Sequence, residues 1–298
     1  MMKKIFPFLA LALLALATAC SSEDTPEVDY NNPTAYFVPA DDDLSFTAQL
    51  RRQFYQDNGS YLLFNDTLQH QFLGKDINGD DRYFTETLDM TYDIGQSALS
   101  SYEYTYTYLT DDSTRLAMTQ FVEQYILTHM TGKMRPYSFF LCRSISGKSI
   151  YSSGSATLRP YALSNERCTA VSTNYLLQRQ RTEAQKTEYA QRIINIMLSQ
   201  MVVNNSSAFS DFFAYNADDY GANYPEGFTH TTENMRQRGF LTSNAGYFPT
   251  RTQDLTAYTA EAVASSDAQL QTKYGNYPIV LAKFAIVRRV LVELGYKF

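Results

Sequence analysis

The side chains able to hold a metal or move a proton are few and widely spaced. The chain has three histidines, His70, His129 and His230, and none has a neighbouring Glu. Zinc hydrolysis on a helix needs two imidazoles four residues apart with a carboxylate between them to activate water. No such pair exists here. His129 falls near the C-terminal end of a helix, where the macrodipole favours it, whereas His70 and His230 stand in polar, loop-like surroundings. A zinc site gathered from all three is the lesser reading. Asp76-Ile77-Asn78-Gly79-Asp80-Asp81 alternates oxygen ligands as a calcium loop does, but its Gly is fourth rather than sixth, and Thr87 stands where Glu is needed. A plain turn is expected. No Gly-x-Ser-x-Gly and no phosphate loop occur, and the hydroxyls around Gly154 have no nearby His or Lys base. Carboxylate pairs for glycoside cleavage stay open, since 31 acidic residues offer many. Tyr102, Tyr104, Tyr106 and Tyr108 alternate with polar residues and so share one strand face. That face either packs in the fold or offers rings to a sugar.

The first 19 residues have a short basic start (Lys3, Lys4), an apolar run from Ile5 to Ala17 and a small-residue exit, the pattern of a secretory signal. Ala17-Thr18-Ala19-Cys20 resembles a bacterial lipobox, which implies cleavage before Cys20 and a lipid on it. Ser21-Ser22-Glu23-Asp24 resembles the surface-export signal of Bacteroidota lipoproteins, which implies the outer face of the outer membrane. The expected organisation is a signal peptide over 1–19, anchor and tether over 20–33, and one domain over 34–298. Without Lys3 and Lys4 the 25 basic residues become 23 against 31 acidic ones, a net charge of −8. That balance excludes the cationic footprint of a nucleic-acid binder. Cys142, in the apolar run Ser138 to Cys142, and Cys168 are expected as free buried thiols, with a disulfide between them as the alternative.

One helix organises the rest. Glu183 to Val203 repeats apolar residues (Ala190, Ile193, Ile194, Met197, Met201) at helical spacing, and contains no His, no Asp and no Glu after Glu188. Before it, the spacing predicts helices over Leu44 to Asp57, led by Asp41 to Asp43, and over Ser113 to Thr131, with Leu116, Phe121 and Tyr125 inward. Strands are expected over Ser60–Phe64, Phe139–Arg143, Ser149–Ser153 and Cys168–Thr173. After it come a short helix capped by Thr231 and stopped by Gly239, a helix from Asp254 to Ser265, and a last one from Pro278 to Leu294 ending at Gly295. This order reads as a single α+β domain with a mixed sheet and a central helix.

The element order, and the strings Thr231 to Leu241 (TTENMRQRGFL), Pro249, Thr252-Gln253-Asp254-Leu255 and Ile286-Val287-Arg288, resemble a zinc-binding metallopeptidase family of Bacteroidota surface lipoproteins. The resemblance implies a zincin-like fold and a central helix bearing His-Glu-x-x-His. Here the matching positions fall near Ile193, Ile194 and Met197, and the family's acidic downstream helix is reduced to Gln253 and Asp254. The resemblance with its zinc motif missing implies a pseudoenzyme: a non-catalytic surface lipoprotein without a cofactor. It would serve as an accessory binding component of a TonB-dependent uptake complex for glycan or peptide. A groove beside the central helix would be lined by Tyr189, Met197, Tyr247 and Tyr258. The alternatives are a hydrolase, peptidase or glycosidase, whose site forms no motif, and a carbohydrate-binding module using Tyr104 and Tyr106.

Overall fold

A computed structural model describes residues 37–91, 102–150 and 157–298. The leader, Cys20, the tether and the hydroxyl cluster around Gly154 lie outside the described residues.

Ser45 opens the first helix, α1 (Phe46–Asn58), by accepting from Ala48 N, and Gly59 closes it at φ +68°. The Asp41 to Asp43 cluster does not cap this helix, because Asp43 Oδ1 takes the N–H of Ser45 in the preceding turn. The chain then enters β1 (Tyr61–Leu63) and a hairpin, β2 (Thr67–Lys75) and β3 (Asp81–Thr87), that forms a two-stranded sheet of its own among the described residues. The Asp76 segment is the turn of that hairpin. Asp76 Oδ1 accepts from Asn78 N and Asp80 N at 2.8 and 2.9 Å, so the carboxylate is spent on its own loop. The hairpin carries no strand signal in the sequence, since Gln69-His70-Gln71 and the exposed Phe72, Leu73, Tyr83 and Phe84 lack the half-buried alternation that marks a strand.

The main sheet is mixed, so the chain is an α+β protein. Its axis is β5 (Ser138–Ser149), a 12-residue strand that runs well past the Phe139–Arg143 expected, while most of the strand expected over Ser149–Ser153 lies outside the described residues. Residues Ser138 to Cys142 are buried throughout, with β1 parallel on one side and β7 (Thr169–Ser172) parallel on the other. A strand enclosed on both faces reads as a continuous apolar run, as this one does. Beyond Cys142 the same strand pairs antiparallel with β4 (Tyr102–Tyr108), and β6 (Ala162–Ser164) completes the order on β7.

The helices supply the rest of the core. Asp111 caps α2 (Asp112–Tyr125), which is followed by a 3-10 turn over Leu127–His129 rather than by more α-helix. Its inward side is Met118, Phe121 and Val122, whereas Leu116 is 36 % exposed, contrary to the expected face. After the one-turn α3 (Asn174–Leu177), a Thr182/Gln185 capping box starts α4 (Glu183–Asn204), the central helix. It buries Tyr189, Ala190, Ile193, Ile194, Met197, Leu198 and Val202. Short α5 (Ser210–Ala214) and α6 (Thr232–Gln237) lead to α7 (Arg251–Ala264), α8 (Asp267–Tyr274) and α9 (Pro278–Leu294). Helix α4 packs on α2 and α7, and α9 packs on α5, α6, α7 and α8. Among the described residues no helix is long and apolar enough to cross a membrane.

The register settles the cysteines. Cys142 lies opposite Ser172 and Phe139 opposite Thr169, which places Cys168 beside Ser138, four residues along β5 from Cys142. That is roughly 13 Å along the strand, beyond the Cα separation of about 7 Å that a disulfide spans. Both thiols are free and buried. Burial raises both, Cys168 to about 12. A thiol reagent should therefore leave Cys142 and Cys168 untouched in the native protein and modify both after unfolding in guanidinium. Peptide mapping that finds either one labelled natively would contradict this placement.

Candidate functional site

The positions matched to the zinc motif carry no ligand set. Ile193, Ile194 and Met197 are 0 %, 1 % and 6 % exposed and belong to the main apolar cluster. Aliphatic and thioether groups do not replace imidazole for zinc. Gln253 is consumed by the capping box of α7, its Oε1 accepting from Thr250 N and Asn244 Nδ2. Helix α7 thus begins at Arg251, three residues before the start read from the sequence, and Asp254 sits inside its first turn.

Asp254 is bound to a cation that sequence reading passed over. Lys283, in the middle of α9, reaches Asp254 Oδ2 at 2.6 Å, and both side chains are fully buried. Lys283 Nζ also donates to Asn216 Oδ1 at 2.8 Å and to the Gly239 carbonyl at 3.0 Å. Three near acceptors match the three N–H donors of an ammonium. The rings of Phe212, Tyr258 and Phe240 surround it, with Nζ 4.3, 4.9 and 5.1 Å from their centroids. Burial pushes the Asp254 carboxyl up and the Lys283 amine down, and each is opposed by the partner's charge. Tyr220 donates its hydroxyl to Asp254 Oδ2 at 2.8 Å, while Oδ1 has no hydrogen-bond partner among the described residues. A carboxylate held this way is a structural anion and is not free to ligate zinc. Lys283 escaped notice because a lone Lys among Ala282 and Phe284 gives no motif, and its acceptors lie 29, 44 and 67 residues away.

The pair lies next to an open cleft of about 570 Å³, whose lining includes Arg251, Thr252, Ser206, Ser210, Phe213 and Leu255. The Arg251 guanidinium lies 5.5 Å over Phe213 and 5.8 Å over Tyr220. Tyr220 therefore links the cleft to the buried pair, with its ring under Arg251 and its hydroxyl on Asp254. Among the described residues Arg251 has no carboxylate partner, and no acidic side chain lines the cleft.

The four groove residues do not meet. Tyr189 is 3 % exposed, donates to the Ser172 carbonyl and edges a separate cleft of about 320 Å³ with Tyr161 and Tyr175. Met197 edges another beside Met134 and Asn204. Tyr258, expected on the lining, is fully buried and donates to the Gly239 carbonyl at 2.8 Å. Only Tyr247, 42 % exposed, stands at the surface. A helix that is apolar on most sides is enclosed by its neighbours, so its tyrosines serve packing instead of a common opening.

The alternating tyrosines of β4 do share a face, but two of them spend it on the sheet. Tyr106 meets Phe140 edge-on at 5.0 Å, and Tyr104 covers Gly147 so closely that a Cβ there would lie 2.8 Å from its ring. The histidines are apart: His70 stacks on Tyr83, His129 Nδ1–H donates to the Lys297 carbonyl, and His230 stacks on Tyr224. Among the described residues no three His, Cys, Asp or Glu side chains form a metal-holding group. No family model, curated protein or solved structure matches the chain.

Proposed function

We propose that the chain is a non-catalytic relative of the zinc metallopeptidase lipoproteins, zincin-like in fold, that works by binding. In this reading Cys20 carries the lipid and residues 20–33 tether the domain to the outer membrane, exposed at the cell surface. There it serves as an accessory to a TonB-dependent complex that takes up glycan or peptide. The observation that carries the non-catalytic part is the 2.6 Å contact between Lys283 and Asp254. The one carboxylate left at the family's downstream position is already neutralised by a buried cation. The cleft beside it supports a binding role, since its volume of about 570 Å³ lies in the range of small-molecule sites.

Elemental analysis of the full chain, purified without a metal-binding tag, tests the reading. The expected result is zinc far below one per chain and no peptidase activity on added zinc. Stoichiometric zinc that disappears on changing His70, His129 or His230 would instead restore the peptidase.

A further inference from the structure

We infer that the Arg251 cleft is a binding site for a carboxylate-bearing ligand, with the guanidinium taking the carboxylate and the Phe213 side taking an apolar body. The inference rests on the binding reading above and names the ligand class of that site.

Four features of the cleft lead to it. The cleft, about 570 Å³, is lined by Leu255 next in the chain to Asp254, and among its lining residues Arg251 is the one charged side chain. Arg251 is exposed and has no carboxylate partner among the described residues, so its guanidinium is open to an anion from solution. Second, Arg251 is placed where it costs stability. It is the first residue of α7, and a cation there opposes the helix dipole. The acid in that first turn, Asp254, which would ordinarily offset it, is turned inward and consumed by Lys283. A local electrostatic conflict of this kind is what binding sites tend to retain.

Third, the guanidinium is laid on rings, 5.5 Å from Phe213 and 5.8 Å from Tyr220. Tyr220 is itself fixed by its hydroxyl bond to Asp254 at 2.8 Å. Stacking on a fixed platform restrains a side chain that would otherwise lose rotamer freedom on binding. A planar fork of N–H donors matches a carboxylate in two parallel bonds. Fourth, Ser206, Ser207, Ser210 and Thr252 line the same space, residues whose hydroxyls are neutral donors available to an anion. The buried pair thus acts as the foundation, since it silences Asp254 and holds Tyr220 beneath Arg251.

A carboxylate can come from a peptide C-terminus or from a sugar acid. Ligand-observed NMR on the full chain would compare N-acetyl-dialanine with its C-terminal amide, and D-glucuronate with D-glucose, in wild type and in Arg251→Gln and Arg251→Lys. The expected result is that at least one acid binds about tenfold more tightly than its neutral counterpart. Arg251→Gln should remove that preference, and Arg251→Lys should keep part of it. Which pair shows the preference identifies peptide or sugar acid as the source. Because the cation opposes the dipole, Arg251→Gln should also unfold at a temperature equal to or above that of wild type, which separates lost binding from a damaged fold. Equal binding of acid and neutral forms, no binding of either acid at millimolar concentration, or an unchanged preference in Arg251→Gln would overturn the assignment. Those outcomes leave the metal analysis untouched, whereas stoichiometric zinc would sink the non-catalytic reading whatever the charge preference.

Discussion

Lys283→Met lowers the stability of the domain by about 3–5 kcal/mol, the usual cost of stranding one member of a buried pair. For a domain of this size that is a fall in Tm of roughly 6–20 °C. The methionine keeps the length of the side chain among Phe212, Tyr258 and Phe240, so packing changes little. What changes is the fate of three oxygens. Asn216 Oδ1 loses its donor, the Gly239 carbonyl keeps only the Tyr258 hydroxyl, and Asp254 keeps only the Tyr220 hydroxyl. The carboxyl can then stay buried only by taking up a proton or by opening the helix ends around it. Adding Asp254→Leu to Lys283→Met should recover a large part of the loss, because a pair of apolar residues leaves no stranded charge. Urea denaturation of the two variants checks both statements. A single variant within about 1 kcal/mol of wild type would show that the pair is solvated and that its burial here is wrong.

Gly239→Ala has the second largest effect, a loss of about 2–4 kcal/mol from a positive-φ backbone combined with overpacking. Gly239 sits at φ +88°, and a methyl at its Cα would collide with the Ile279 side chain on α9. Either strain moves the carbonyl that receives both Lys283 Nζ and the Tyr258 hydroxyl. The damage should therefore exceed that of Gly221→Ala, a glycine also at positive φ (+71°) but with nothing within 4 Å of the added carbon. Parallel thermal melts of the two variants would show the difference. Equal losses would mean that the backbone angle alone matters and that the carbonyl's position over Lys283 does not.

Gly239 also shows what the sequence did and did not reveal. Its place after Thr231 to Arg238 marks it as a helix stop, and the structure has it at the C-terminal end of α6. Its second role, as an acceptor for a buried cation, depends on α9 lying against α6, which no local pattern states. The same split runs through α7. Thr250 and Gln253 form a capping box that starts the helix at Arg251, three residues before the Asp254 start that the sequence suggests. Lys283 is the clearest case. It interrupts an apolar face, and charged residues on such faces usually reach for solvent.

Elements whose cause is local are legible in the residues alone. Apolar spacing fixed the extent of the central helix and the last helix, a glycine with a left-handed backbone fixed the end of the last one, and the apolar run from Phe139 to Cys142 fixed the enclosed strand. Side-chain period and backbone φ act within a few residues, so they can be read there. Which polar groups meet depends on the packed fold. It paired Asp254 with Lys283, set Arg251 on Phe213 and Tyr220 beside an open cleft, and separated the tyrosines expected to share a groove. Burial and charge pairing depend on which helix faces pack together, and that is a property of the whole chain.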